Sequence, residues 1–197
     1  GCGVCATTCP KNIISIVLSD EGFYVPRIVE QYICVECGTC MKVCAFLHKE
    51  ISQPKEIYGS WASWSKDIKV RQKASSGGVG LELGFEALDN NNQVCGVRYN
   101  VEKGRAEHFI ATSKEEIIQT TGSKYIQSYT IDGFKDIDLK KNYLVTGTPC
   151  QIDSFRRYLQ MRHKEDNFLL MDFFCHGVPS MLMWKKYCQL NERKIGK

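Results

Sequence analysis

Cys34-Val35-Glu36-Cys37-Gly38-Thr39-Cys40-Met41-Lys42-Val43-Cys44 is the stretch that decides how this chain begins to fold. Its cysteines follow the spacing C-x2-C-x2-C-x3-C. Three thiolates inside seven residues suit a cubane iron–sulfur cluster, whose irons sit close together and each take one ligand from a tight loop. Toward the N-terminus, Cys2, Cys5, Cys9 and Pro10 repeat the pattern without its opening cysteine. In such paired motifs the distant fourth cysteine ligates the other cluster. Cys34, Cys37, Cys40 and Cys9 are therefore expected to hold one [4Fe–4S] cluster, and Cys2, Cys5 and Cys44 the other. The second set is one ligand short, and the spacing puts the absent one two residues before Gly1. The chain opens without Met inside a ligand loop, so it is expected to be a fragment.

Zinc is the competing reading, but it favours paired C-x2-C knuckles separated by a long insert. Triple-cysteine spacing, twice, with Pro10 after Cys9, argues against it. Disulfides fit less well again, because thiolate ligands need a reducing compartment and no signal peptide is visible. The expected location is cytoplasmic.

The remaining composition is that of an ordinary globular chain: 197 residues, 43% hydrophobic and 24% charged, enough for one or two domains. No apolar run approaches the ~18 residues of a membrane span. A net charge of +4, with no single basic stripe, excludes nucleic acid as the expected partner. Lys66, Lys69, Arg71 and Lys73 form one basic run and Arg156–Arg157 another. Both read as solvated faces, although the first ends beside a glycine loop and has the better claim to an anion. Of the eleven cysteines, Cys95, Cys150, Cys175 and Cys188 lie outside the motifs. Cys95, within a strand pattern, and Cys188, within a helix pattern, read as packing residues.

Residues 1–50 are expected to form a ferredoxin-like unit held together by its clusters, since so short a segment has little core of its own. Ile13 to Leu18 reads as a strand, Asp20-Glu21-Gly22 as a turn, and Phe23 to Val25 as the returning strand. Ala45 follows Cys44 where such motifs often place proline, which leaves that turn less rigid. Residues 51–68 read as a linker anchored by Tyr58, Trp61 and Trp64. Beyond it, Val79–Leu88, Ser113–Thr120, Gln151–Arg162 and Met181–Leu190 carry helical patterns. Ser113 and Glu116 suggest a capping box. Val94–Tyr99, His108–Thr112, Asn142–Val145 and Phe168–Phe174 read as strands. The order strand, loop, helix, strand after residue 140 predicts a right-handed unit with a parallel strand pair. Residues 69–139 and 140–197 are read as two successive parts of one domain.

Three loops could carry chemistry. Ser75-Ser76-Gly77-Gly78 opens a helix, where backbone N–H groups attract phosphate. Gly122-Ser123-Lys124-Tyr125 supplies a hydroxyl, a cation and a ring. Thr146-Gly147-Thr148-Pro149-Cys150 joins a strand to a helix, where α/β proteins place cofactors. None forms a G-x-G-x-x-G fingerprint or a P-loop. Cys150 and Cys175 both end strands; they read either as two buried thiols or as a shared site, as extra cluster ligands or a redox pair. His176 reads as a structural loop residue or a hydrogen-bond donor to sulfur.

With Gly147-Thr148-Pro149-Cys150-Gln151 and Cys175-His176-Gly177-Val178-Pro179-Ser180 following those loops in order, behind two ferredoxin motifs, the chain resembles the coenzyme F420 hydrogenase/dehydrogenase beta-subunit family. The resemblance spans essentially the whole chain. It implies an α+β protein: an N-terminal dicluster ferredoxin-like domain, then a mixed α/β flavin-binding domain truncated at its C-terminus. It implies FAD, and an iron–sulfur oxidoreductase moving electrons between a hydride carrier (coenzyme F420 or another), FAD and [4Fe–4S] clusters. The alternative is a non-catalytic electron-transfer subunit serving a partner enzyme. The partners implied are a redox protein or ferredoxin and a small-molecule hydride donor. Cofactor contact carries over to Ser76, Gly77, Gly78, Ser123, Lys124, Thr148 and Pro149, with Lys124 facing the pyrophosphate or the flavin ring, or else simply exposed.

Overall fold

The computed structural model describes residues 1–52 and 56–195. Its first fifty residues fold around a hairpin: β1 (Ile14–Leu18) pairs antiparallel with β2 (Tyr24–Ile28), Val17 opposite Val25. The turn between them closes through Gly22 N–H donating to Ser19 O, and Gly22 takes the left-handed φ of +82°. Two short helices flank the hairpin: α1 (Val4–Thr8) carries Cys5, and α2 (Thr39–Lys42) carries Cys40. Ala6, Ile13 and Ile14 form the small core between them, with Cys5, Cys9 and Cys40 at its edge.

The segment expected to be a linker leads into a helix that begins at its last residue, Ile68. In α3 (Ile68–Lys73) the side chain of Asp67 caps the first turn, accepting from Lys69 N–H at 2.8 Å. The preceding aromatic residues do not anchor it: Tyr58, Trp61 and Trp64 are 87%, 78% and 62% exposed.

A four-stranded mixed sheet follows, in the order β4-β3-β5-β6. β3 (Gln93–Asn100) and β4 (Arg105–Ala111) form an antiparallel pair with Gly96 opposite Phe109. β5 (Tyr143–Gly147) runs parallel to β3, and β6 (Phe168–Asp172) parallel to β5, as the crossover pattern after residue 140 predicts. Alternation along these strands sends side chains to opposite layers. Val94, Phe109, Ala111 and Leu144 pack against α4 (Val79–Asp89) and α5 (Lys114–Ile118). Cys95, Tyr143 and Val145 pack against α6 (Ile131–Lys135) and α7 (Pro149–Arg162), around the fully buried Phe155 and Leu159. Burying a side chain such as Phe155 is worth roughly 1.5–3 kcal/mol. β6 stops at Asp172, so Phe173 and Phe174 leave the sheet exposed. α8 (Met181–Ile195) runs past the predicted Leu190. Among the described residues no helix is long and apolar enough to cross a membrane.

Local signals explain the starts of α5 and α7, as they do for α3. Ser113 caps α5 by accepting from Glu116 N–H at 3.2 Å. The capping box is not reciprocal: Glu116 reaches past Ser113 to Thr112, accepting its N–H at 2.7 Å. α7 has the reciprocal arrangement, with Thr148 and Gln151 each bonding the other's backbone and Pro149 at the first turn.

Candidate functional site

The cysteine-bearing segment docks onto the sheet domain, and polar side chains make the junction. Gly3 adopts φ +80°, and any side chain there would collide with the Thr130 hydroxyl. That hydroxyl donates to Cys2 O at 2.9 Å in a buried position. Gln127 clasps the hairpin from both sides, its amide oxygen accepting from Tyr24 N–H at 2.7 Å and its Nε2 donating to Tyr24 O and Gly1 O, each at 3.1 Å. At the far side, Met181 N–H donates to Gly22 O at 2.8 Å, tying the start of α8 to the hairpin turn. Ser52 Oγ donates to the Asp153 carboxylate at 2.6 Å.

These bonds set Cys2 against α7. Cys2 belongs to the core that contains Ile152 and Phe155, and Cys150 packs at the edge of that core. Ser154 Oγ lies 3.2 Å from Cys2 Sγ and accepts from Ala45 N–H at 3.0 Å. Cys2, Cys5 and Cys44 lie within electrostatic reach of one another. Burial pushes the Cys5 thiol up to about 11, with the neighbouring Cys2, Cys44 and Cys40 adding to the rise. Cys2 is raised by the same desolvation, opposed by Ser154, with Cys150 and Cys44 adding to it. Coordination by iron removes such protons outright. The other set is open: Cys34 and Cys37 are exposed, and the Thr39 hydroxyl draws the Cys37 thiol down. Cys9 and Cys40 border the small core beside Ile14.

Among the described residues, no three such side chains converge closely enough to hold a single metal ion. In a cubane each thiolate binds a different iron, so its ligands surround the cluster rather than meet at one centre.

The predicted cofactor loops fare unevenly. Ser75 Oγ accepts from Ser123 N–H at 3.0 Å, so the first two loops meet. Ser76 and Ser123 are exposed. Gly78 starts α4 at φ +80° with no side-chain cap, which leaves the first-turn N–H groups without one. A side chain at Gly77 would strike Ser63 O, so that glycine answers to chain packing. Lys124 is committed elsewhere: its ammonium donates to Thr120 O and Thr121 O, each at 2.7 Å, closing the end of α5. Burial draws its pKa down to about 8. Thr148 and Pro149 build the start of α7, and Thr148 Oγ1 lies 3.3 Å from Cys150 Sγ.

Cys150 sits partly buried in the first turn of α7, toward Cys2, while Cys175 is exposed in the segment after β6. β5 and β6 are neighbours, but both thiols are free. His176 is exposed. Cys95 is fully buried in the core, as a packing residue should be, and Cys188 is half-buried on α8.

Sequence reasoning missed Gln127, Thr130 and Ser154, whose roles depend on partners more than 100 residues away. Within the basic run given the better claim to an anion, Arg71 is set apart: its Nε is buried without a hydrogen-bond partner, in the helix leading to Ser75. A cleft of about 350 Å³ beside α4, lined by Trp64, Glu82 and Glu86 among others, carries the wrong charge for an anion.

The comparisons agree with this construction. Residues 1–47 match the 4Fe-4S dicluster domain. Residues 60–132 match the N-terminal part, and 140–196 the C-terminal part, of the coenzyme F420 hydrogenase/dehydrogenase beta subunit. An uncharacterized protein of Methanocaldococcus jannaschii is 27% identical over 203 residues, covering 88% of this chain and 55% of the relative. Coenzyme F420-dependent sulfite reductase of the same organism is 25% identical over 173 residues, 84% of this chain and 26% of that protein. The chain thus spans between a quarter and about half of these relatives. A chain of the F420-reducing [NiFe] hydrogenase complex from Methanosarcina barkeri shares the fold at TM-score 0.50 and 18% identity, over 68% of this chain and 50% of that one. The chain is an iron–sulfur protein by its dicluster domain, and it belongs to the coenzyme F420 hydrogenase/dehydrogenase beta-subunit family.

Proposed function

We propose that this chain is an iron–sulfur flavoprotein unit that carries electrons between a hydride carrier, coenzyme F420 or another, and a partner redox protein or ferredoxin. One observation carries the reading: the Cys2 side of the dicluster segment is docked on α7, the helix that leaves the end of β5 through Gly147-Thr148-Pro149-Cys150. A two-electron chemistry at that sheet end and a one-electron chemistry at the cysteines would then be neighbours. When bound, FAD would exchange electrons in pairs with a hydride carrier and singly with clusters.

The chain's own residues divide the work. Residues 1–50 would hold two clusters through Cys9, Cys34, Cys37 and Cys40, and through Cys2, Cys5 and Cys44 with one further ligand. Residues 51–68 would connect them to a flavin domain built from 69–139 and 140–197. Arg71, with its orphaned Nε, the uncapped start of α4 and the Ser75–Ser123 contact fit the phosphates of a dinucleotide. Ser76, Gly77, Gly78 and Ser123 would line that contact. Lys124 fits it poorly, because its ammonium is spent on backbone carbonyls. Thr148 and Pro149 would serve by shaping the turn. Cys150 is the better placed of the two outer cysteines to join the Cys2 site; Cys175 would act only after the segment beyond β6 moves.

The experiment is anaerobic purification of the full-length protein, with iron assay, cofactor release and reduction trials using reduced F420, NADPH and reduced ferredoxin. About eight irons and one FAD per chain, with reduction by one of these donors, are expected. Zinc at the cysteines, or iron with no flavin, would refute the proposal.

A further inference from the structure

Ser154 lies in the second turn of α7, fully buried, with no solvent to bond. A buried hydroxyl needs partners, and both of its partners come from the opposite domain. Ala45 N–H donates to its oxygen at 3.0 Å, and Cys2 Sγ stands 3.2 Å away. With a neutral thiol, either sulfur or oxygen could donate. A thiolate has no proton to give. Once Cys2 is a ligand, the only hydrogen available to this pair is the serine's own, and Ala45 has already filled a lone pair on its oxygen. The hydroxyl is thus turned toward sulfur. Ala45 stands where these cysteine motifs often carry proline. Proline has no N–H, so the usual residue could not make this bond.

We infer that Ser154 tunes the cluster site at Cys2, donating a hydrogen bond across the domain junction to the Cys2 thiolate while Ala45 N–H holds its oxygen in place. The inference rests on the iron–sulfur reading above and deepens it. Hydrogen bonds to ligand sulfur stabilise the more negative, reduced state and raise the reduction potential. The donor belongs to α7 and the sulfur to the dicluster segment, so the potential of this cluster depends on the two domains being docked. The other set has a hydroxyl of its own, Thr39 Oγ1 3.4 Å from Cys37 Sγ, but that residue lies in the dicluster segment itself and does not depend on docking.

The test is a redox titration of the full-length holoprotein, followed by EPR, for wild type, Ser154→Ala and Ser154→Thr. Ser154→Ala should shift the one-electron equilibrium of one cluster about tenfold toward the oxidised form, a ~59 mV fall in midpoint, and leave the other unmoved. Ser154→Thr, which keeps the hydroxyl, should restore much of it. Unchanged potentials in a fully iron-loaded Ser154→Ala protein overturn the inference. If the alanine variant does not load iron, proton ENDOR on the reduced wild type and Ser154→Thr proteins in H2O and D2O decides. An exchangeable coupling beyond those of backbone N–H groups such as Val4 and Ala6, and altered in Ser154→Thr, supports the bond; backbone couplings alone, unchanged in that variant, overturn it. A wild-type protein without iron defeats the underlying iron–sulfur reading, and this inference with it.

Discussion

His108 offers the most quantitative test of the fold. It is fully buried on β4, packed edge-on against Phe134 at 4.9 Å between ring centroids. Its Nε2 lies 3.2 Å from Thr146 O and its Nδ1 has no partner. Nε2 therefore carries the proton and donates to the carbonyl, while Nδ1 keeps a bare lone pair. Burial pushes the pKa from 6.5 down to about 4, against the smaller opposing pull of the Thr146 carbonyl. The unfolded chain takes up its proton near pH 6.5, and the folded chain only near 4. Stability is therefore whole above 6.5, falls as the pH drops through that window, and is fully spent below 4. At pH 5.5 the unfolded imidazole is mostly protonated and the buried one mostly neutral, which costs roughly 1 kcal/mol. The full shift is worth about 3 kcal/mol. The assay is urea denaturation at pH 7.5 and 5.5 under anaerobic conditions, with visible absorbance confirming that the clusters survive. His108→Gln, which can still donate to Thr146 and does not titrate, should show less of this loss by roughly 1 kcal/mol. Equal losses in the two proteins would refute the burial argument.

Three further outcomes are expected. Gly3→Ala places a side chain at φ +80° against the Thr130 hydroxyl, and should cost about 1–3 kcal/mol by denaturant midpoint while weakening docking of the cysteine segment. Cys37→Ala should remove about four irons per chain while leaving flavin content unchanged, read by paired iron and flavin assays. Parallel loss of both would contradict the division into modules. Arg71→Met should lower flavin occupancy without changing iron; equal occupancy would remove Arg71 from the phosphate site.

What could be read in advance was local. The cysteine spacing is a local code, and the hairpin from Ile14 to Ile28 follows from two apolar runs around Asp20-Glu21-Gly22. The β5-α7-β6 unit was legible for the same reason. The four helices that escaped notice, α1, α2, α3 and α6, are each six residues or fewer and lack a periodic signal. α3 spans six residues behind a run of exposed aromatics, and α6 five residues with a glycine inside. Gly133 is there because a side chain would strike the backbone of His108, a reason invisible without β4 in place. The turn at Thr148-Pro149-Cys150-Gln151 was read as a cofactor loop, although its first and last residues also spell a capping box. Ser154 looked like any polar residue on a helix. Only its partners, Cys2 and Ala45, give it a role, and they are set by tertiary docking.

That separation has a consequence for biogenesis. Cys2 leaves the ribosome 152 residues ahead of the serine that bonds it. At roughly 5–20 residues per second, its thiol waits on the order of 10–30 s before its shelter exists. Iron delivered in that interval meets an open, oxygen-sensitive site; iron delivered afterwards must pass a closed seam. The timing of translation, as much as the affinity of sulfur for metal, thus governs how this protein acquires its cargo.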